Sequence, residues 1–200
     1  EPATSVEPIE LFGIKWGVSV CEDIWQNDNS YMRYHVNPLK QLHQQGAEIM
    51  VNISASPFTR GKINERADML ARRCKEFQSP LLYVNQVGAQ TELIFDGDSL
   101  AMDALGNLIN RANRFQEAFI DLECINTGEG VQIKKQELSS RNHESYEQNK
   151  REYHEIAKIK QSDEAYVFEA LCLGISDYIV KSGLPGKVCL GLSGGIDSAL

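Results

Sequence analysis

The sequence predicts a layered α/β protein, on three observations. Ile14 to Val20 is a β-branched and aromatic run of strand length. Lys62 to Phe77 carries apolar residues at helical spacing, and Leu81 to Asn85 follows as another strand-like run. Near the end of the chain, Val188 to Leu192 leads straight into a glycine-rich turn and a new helix start. Alternation of this kind builds a sheet with helices on its faces.

In order, Glu1 to Phe12 is a polar, proline-punctuated lead-in that reads as a loop. Ile14 to Val20 shows little alternation and reads as a strand buried on both faces. It stops at Cys21-Glu22-Asp23, and Gln26 to Arg33 is polar and turn-like. Asn37-Pro38 offers an N-cap and a first-turn proline to a helix reaching about Gln45 and closed by Gly46. Ala47 to Ile53 is the next strand. In the helix Lys62 to Phe77, Ile63, Ala67, Leu70, Ala71, Cys74 and Phe77 share one face, so Cys74 reads as a core thiol. After Leu81 to Asn85 the rhythm shortens to strands at 93–95, 99–102, 108–110 and 117–121, with turns at Asp96-Gly97 and Leu105-Gly-Asn107. A meander closing the layered fold is expected there. Residues 126–161 are charged, broken by Gly128-Glu-Gly130, and read as a linker. Ser162 caps a helix from Asp163 to Lys181 that ends at Ser182-Gly183. The expected division is 1–125, a linker over 126–161, and a second domain opening at 162–200.

The 200 residues are 42% hydrophobic and 24% charged, with a formal charge of −8. That balance suits a soluble globular protein and argues against nucleic acid as a partner. No apolar run approaches the ~20 residues that span a bilayer, and no signal peptide is read. Cys21, Cys74, Cys124, Cys172 and Cys189 form no Cys-x-x-Cys pair, and the four histidines show no ligand spacing. This fits a reducing cytoplasm and no assigned metal site. The start at Glu1 and the stop at Leu200 inside a motif read as an internal piece of a longer protein.

Two motifs carry chemistry. A strand that ends by presenting Cys21 to a polar loop holds a nucleophile rigidly; the alternative is a small buried thiol. Glu22 and Asp23 raise a thiol's pKa unless a cation stands nearby. The second motif, Ser193-Gly-Gly-Ile-Asp-Ser198 between a strand and a helix start, is a phosphate-binding arrangement of backbone N–H groups, helix N-terminus and hydroxyls. It lacks the lysine of the Walker loop.

Gly17-Val-Ser-Val-Cys-Glu-Asp-Ile-Trp25 resembles the nucleophile segment of the nitrilase-like carbon-nitrogen hydrolases, which use a Glu-Lys-Cys triad. The resemblance implies Cys21 as nucleophile, with the Glu base and the Lys upstream of this chain, and the Glu22 N–H as oxyanion donor. Gly191-Leu-Ser-Gly-Gly-Ile-Asp-Ser198 resembles the pyrophosphate loop of adenylating enzymes. Nitrilase-like domain, linker and loop in that order resemble the glutamine-dependent NAD synthetase family over essentially the whole chain. What this implies is the C-terminal part of a nitrilase-like α-β-β-α sandwich, a linker, then the start of a Rossmann-like adenine-nucleotide α-hydrolase-type domain. It implies hydrolysis of L-glutamine coupled to amidation of deamido-NAD with ATP and Mg²⁺, in a cytoplasmic homo-oligomer. Ser56 and Lys62 would hold glutamine, and Gly191, Leu192, Ser193, Gly194, Gly195, Ile196, Asp197 and Ser198 would hold ATP. Lys62 would face the α-carboxylate; the alternative is an exposed first-turn lysine. Val84 to Ser99 also resembles the family, with Ala89 and Thr91 where Gly and Asp are expected. The 200 residues alone are expected to be inactive. A free-standing amidase, a GMP- or asparagine-forming amidotransferase, and a non-catalytic piece remain rival readings.

Overall fold

The computed structural model describes residues 5–25, 37–128, 130–135 and 163–199. The expected turn at Gln26 to Arg33, the Ser162 cap and most of the linker lie outside these residues. Six strands form one mixed sheet in the order β1 (Ile9–Leu11), β2 (Ile14–Val20), β3 (Ile49–Ser54), β4 (Leu81–Asn85), β7 (Leu100–Met102) and β8 (Leu108–Arg111). β2, β3 and β4 run parallel, with Val20 opposite Ile53 and Ile53 opposite Val84. β1, β7 and β8 extend the sheet in antiparallel pairings.

Helices α1 (Pro38–Gln44) and α2 (Lys62–Phe77) cover one face. Asn37 caps α1 as expected, its Oδ1 accepting the Lys40 N–H at 3.0 Å. Along α2 the buried stripe is Leu70, Cys74 and Phe77, which packs with Leu39 and Leu42 of α1 onto Met50, Leu81, Tyr83 and Leu100. Burial pushes the Cys74 thiol up to about 12, as suits a core residue. The other face is covered at one end by a hairpin of β9 (Leu122–Asn126) and β10 (Val131–Lys135). Its Val131 and Ile133 close over Ile14, Ile49 and Ala101.

Several expectations are corrected. Glu117–Asp121 is not a strand, and the first part of the expected linker is β10. Short runs of mixed residues pair when a neighbour offers an edge, whatever their local pattern. Ile9–Leu11 pairs for the same reason, and Val87–Gln90 (β5) pairs with Leu93–Asp96 (β6) in a separate two-stranded hairpin. Val188 to Leu192 forms no strand; Val188, Leu190 and Leu192 are exposed, and so is Cys189, which was expected in a core. A strand exists through its ladder partners, and among the described residues none pairs with this run. The Cys21 strand is open on one face at its end, where Val20, Ile53 and Val84 form an uncovered apolar row at 60%, 52% and 49% exposure.

α3 (Asp163–Lys181) lies on the β5–β6 hairpin. Its buried Asp177 accepts the Ala89 N–H at 2.8 Å, and Lys181 Nζ donates to the Ala89 carbonyl at 2.8 Å. Gly88 permits this approach: it sits at φ +125°, and a Cβ there would lie 3.1 Å from the Asp177 carboxylate. The turn after β7 depends on glycine more strictly. Asp103 gathers the N–H groups of Leu105 and Asn107 at 2.9 and 2.8 Å. Gly106 follows at φ +77°, where a Cβ would come within 2.7 Å of the Ala71 carbonyl oxygen. Gly106→Ala should therefore lower stability by about 2–4 kcal/mol through left-handed strain plus overpacking. Urea unfolding checks this, and an unchanged midpoint would show that α2 yields freely there.

Candidate active site

The three parallel strands share one carboxyl edge, the usual place for a site in an open α/β sheet. Below it, buried polar groups tie the strand ends together. Ser19 Oγ donates to the Val51 carbonyl at 3.2 Å and accepts from Asn52 Nδ2 at 3.0 Å. Asn52 Nδ2 also reaches the Cys21 carbonyl at 3.5 Å, and Ser54 Oγ donates to Asn52 Oδ1 at 2.6 Å. A buried chain of satisfied polar groups permits one backbone arrangement and penalises others.

Cys21 follows β2 directly and opens a 3-10 turn, Cys21–Trp25, with φ at +48°. A non-glycine residue in that region costs about 1–3 kcal/mol and persists where its surroundings over-determine it. They do so here from both sides. The Asp23 carboxylate accepts the Val20 N–H at 2.9 Å. Ile24 is fully buried, and Arg73 of α2 donates Nε to its carbonyl at 3.0 Å. The thiol is half-buried.

Ser56 sits two residues beyond β3. Asn85, at the end of β4, grips its backbone at both groups: Oδ1 accepts the Ser56 N–H at 2.9 Å and Nδ2 donates to its carbonyl at 3.3 Å. The buried Ser56 hydroxyl has no hydrogen-bond partner among the described residues. Lys62 begins α2, half-buried, with Nζ 5.8 Å from the Trp25 ring centroid. Burial pulls its pKa below the usual lysine range and the Arg66 charge adds to this, while Asp96, Cys21 and Glu65 oppose it. Lys62 and Cys21 are therefore in electrostatic reach. Lys62 reaches this edge from α2, an element other than the thiol's own.

Beneath Lys62 lies a buried ion network. Arg66 pairs with both Asp96 oxygens at 3.0 Å and with Asp98 at 3.5 Å, all three side chains fully buried. Asp98 also takes Arg111 at 2.6 and 2.8 Å and lies 3.1 Å from Arg114 Nε. Asn85 Nδ2 touches Asp96 at 3.3 Å, which joins this network to Ser56.

The structure thus gathers Cys21, Ser56 and Lys62 at one sheet edge. Residues 191–197 lie beyond α3, fully exposed. Within them Ser193 Oγ accepts the Gly195 N–H at 3.4 Å, Gly194 has φ +82°, and a short helix α4, Ile196–Ala199, begins.

A model of the carbon-nitrogen hydrolase family matches residues 1–127. The chain belongs to the carbon-nitrogen hydrolase family. The chain is 39% identical over 190 residues to a glutamine-dependent NAD(+) synthetase of Synechocystis sp., covering 94% of this chain and 30% of that protein. A glutamine-dependent NAD(+) synthetase of Thermotoga maritima is 30% identical over 213 residues, covering 100% of this chain and 35% of that protein. Among solved structures, the glutamine-dependent NAD+ synthetase of Acinetobacter baumannii in complex with ADP superposes with a TM-score of 0.76 at 31% identity, over 100% of this chain and 32% of that one. That of Cytophaga hutchinsonii shares the fold, with a TM-score of 0.61 at 23% identity over 97% of this chain and 25% of that one. The chain spans about a third of the length of the curated relatives it matches.

Sequence reasoning on the hydrolase overlooked Asn52, Asn85, Arg66, Asp96 and Asp98. Asn52 carried a signal, being an amide inside the otherwise apolar run Ile49–Ile53. Asp96 was read as a turn residue because a glycine follows it. Among the described residues no helix is long and apolar enough to cross a membrane.

Proposed function

We propose that the chain carries the nucleophile-bearing part of a glutamine-hydrolysing domain and the opening phosphate loop of an NAD synthetase domain. The observation that carries this is the convergence of Cys21, Ser56 and Lys62 at one sheet edge, with the glycine loop following further along the same chain. The Cys21 thiolate attacks the glutamine carboxamide carbon, the C–N bond breaks, and the nitrogen leaves as ammonia after gaining a proton. A γ-glutamyl thioester remains, and water cleaves it to glutamate and free thiol. The Glu22 N–H faces the oxyanion, worth about 3–4 kcal/mol when well placed. Lys62 pairs with the substrate α-carboxylate and the Ser56 hydroxyl binds its amino-acid end. The triad's Glu and Lys come from sequence outside these 200 residues, so the chain by itself is inactive.

Ammonia then displaces AMP from an acyl adenylate of deamido-NAD, formed with release of pyrophosphate from ATP held by Gly191 to Ser198. Among the described residues no group of three His, Cys, Asp or Glu is placed to hold a metal. Mg²⁺ would accompany the ATP phosphates and offset their charge, and Asp197 is the loop's own carboxylate. The uncovered row of Val20, Ile53 and Val84 supports a second sheet packing there to complete an α-β-β-α sandwich. Loop and helix start support a Rossmann-like second domain, in a cytoplasmic homo-oligomer.

Thiol labelling of the full-length enzyme tests the site. Iodoacetamide should modify Cys21, and saturating glutamine should protect it, while Cys74, buried and pushed up to about 12, stays unmodified. Labelling of Cys21 at the same rate with and without glutamine would remove it from the pocket.

A further inference from the structure

Residues 55–61 connect β3 to α2; the loop contains Ser56 and leads into Lys62, the two residues read as holding glutamine. This loop is fastened to the β5–β6 hairpin: the Phe58 N–H donates to the Ile94 carbonyl at 2.7 Å, and Pro57 bridges to Phe95. The Phe58 ring meets Phe115 edge-on at 5.3 Å and packs with Ile94 and Tyr166 around buried Ala170 and Leu173. Tyr166, Ala170 and Leu173 belong to α3. Two residues before Lys62, Arg60 reaches the first turn of the same helix, with Nη2 2.8 Å from Glu164 and Nε 3.3 Å from Asp163. Arg114, ion-paired with Asp98, also lies 4.5 Å over the Tyr166 ring. Helix α3 therefore touches the loop at Phe58 and Arg60, and touches the ion network beneath Lys62 through Arg114.

We propose that α3 is the positioning element for glutamine recognition, with Phe58 and Arg60 as the positioning residues through which it sets Ser56 and Lys62. The proposal rests on the reading of the pocket given above. A short loop fixed at β3 and at α2 has few ways to relax, and packing at its middle decides where both ends point. Displacements on the order of 1 Å are enough to cost about 10²-fold in a site that depends on alignment. Asp177 and Lys181 hold α3 against the hairpin through both backbone groups of Ala89.

The experiment is steady-state NAD synthesis by the full-length enzyme, with glutamine or ammonium as nitrogen source. Gly174 lies in α3 against Ile94, and a Cβ there would be 3.2 Å from Ile94 Cδ1. Gly174→Leu wedges the helix off the hairpin without touching Ser56, Lys62 or Cys21. It should raise the KM for glutamine about tenfold and leave kcat with ammonium within about twofold. Arg60→Glu, on an exposed side chain that folding does not need, should raise the same KM about two- to fivefold, and Glu164→Arg in that background should restore it. An unchanged glutamine KM in both variants overturns the proposal, as does a parallel fall with both nitrogen sources, which marks a structural role alone. Failure of the pocket reading itself is separate: it appears as Cys21→Ala retaining glutamine-supported synthesis.

Discussion

Replacing Cys21 with alanine should abolish glutamine-supported NAD synthesis in the full-length enzyme and leave ammonium-supported synthesis intact. The expected loss is roughly 10⁴-fold or more, because removing the nucleophile of a catalytic unit removes the covalent route entirely. The adenylating half makes no use of that thiol, so external ammonium bypasses the defect. Asp197→Ala and Ser193→Ala act on the other half and should lower synthesis from both nitrogen sources. Loss of a charge-assisted contact to phosphate costs about 1.5–3 kcal/mol, or roughly 10- to 150-fold. NAD formation with each nitrogen source, measured side by side, separates the cases. Equal loss of both activities in folded Cys21→Ala would show that the division of labour is wrong. Unaltered ATP consumption in both loop variants would return Ser193 to Ser198 to an ordinary glycine turn.

The second large effect is on stability. Arg66→Met should destabilise the fold by about 3–5 kcal/mol, because it strands the fully buried Asp96 carboxylate. Asp98→Ala should cost a similar amount, leaving Arg66, Arg111 and Arg114 to share one carboxylate. The double variant Arg66→Met/Asp96→Leu should cost clearly less than the sum of its single changes, since both members of the pair leave together. Urea midpoints of the three proteins measure this. A single change costing under about 1 kcal/mol would mean that water reaches the cluster and screens it.

What was legible in the sequence follows the range of the interactions involved. α2 and β3 were readable because apolar periodicity and strand-length runs are local. Cys21 was readable from its place at a strand end and from the resemblance of Gly17 to Trp25. The β9–β10 hairpin was not, since Val131-Gln-Ile-Lys-Lys135 offers only two apolar positions among charges, and its burial comes from the sheet beneath it. Val188 to Leu192 failed in the opposite sense: its residues favour a strand, yet a strand needs a partner. Arg66 meets Asp98 across 32 positions of chain, and no short window contains that pair. Asn85 was invisible as a site residue because an amide shows its use only when both groups of Ser56 lie beside it.

The hairpin also decides where this protein can be cut. A boundary at 125 falls inside β9, and one at 127, where the family match ends, falls in the turn between β9 and β10. Severing there would strip Val131 and Ile133 from over Ile14, Ile49 and Ala101 and leave β9 with a bare edge. Such a fragment would present an apolar surface and unpaired backbone together, the combination that drives strand-to-strand association between copies. A unit that keeps this hairpin over Ile14, Ile49 and Ala101 therefore runs at least through Lys135.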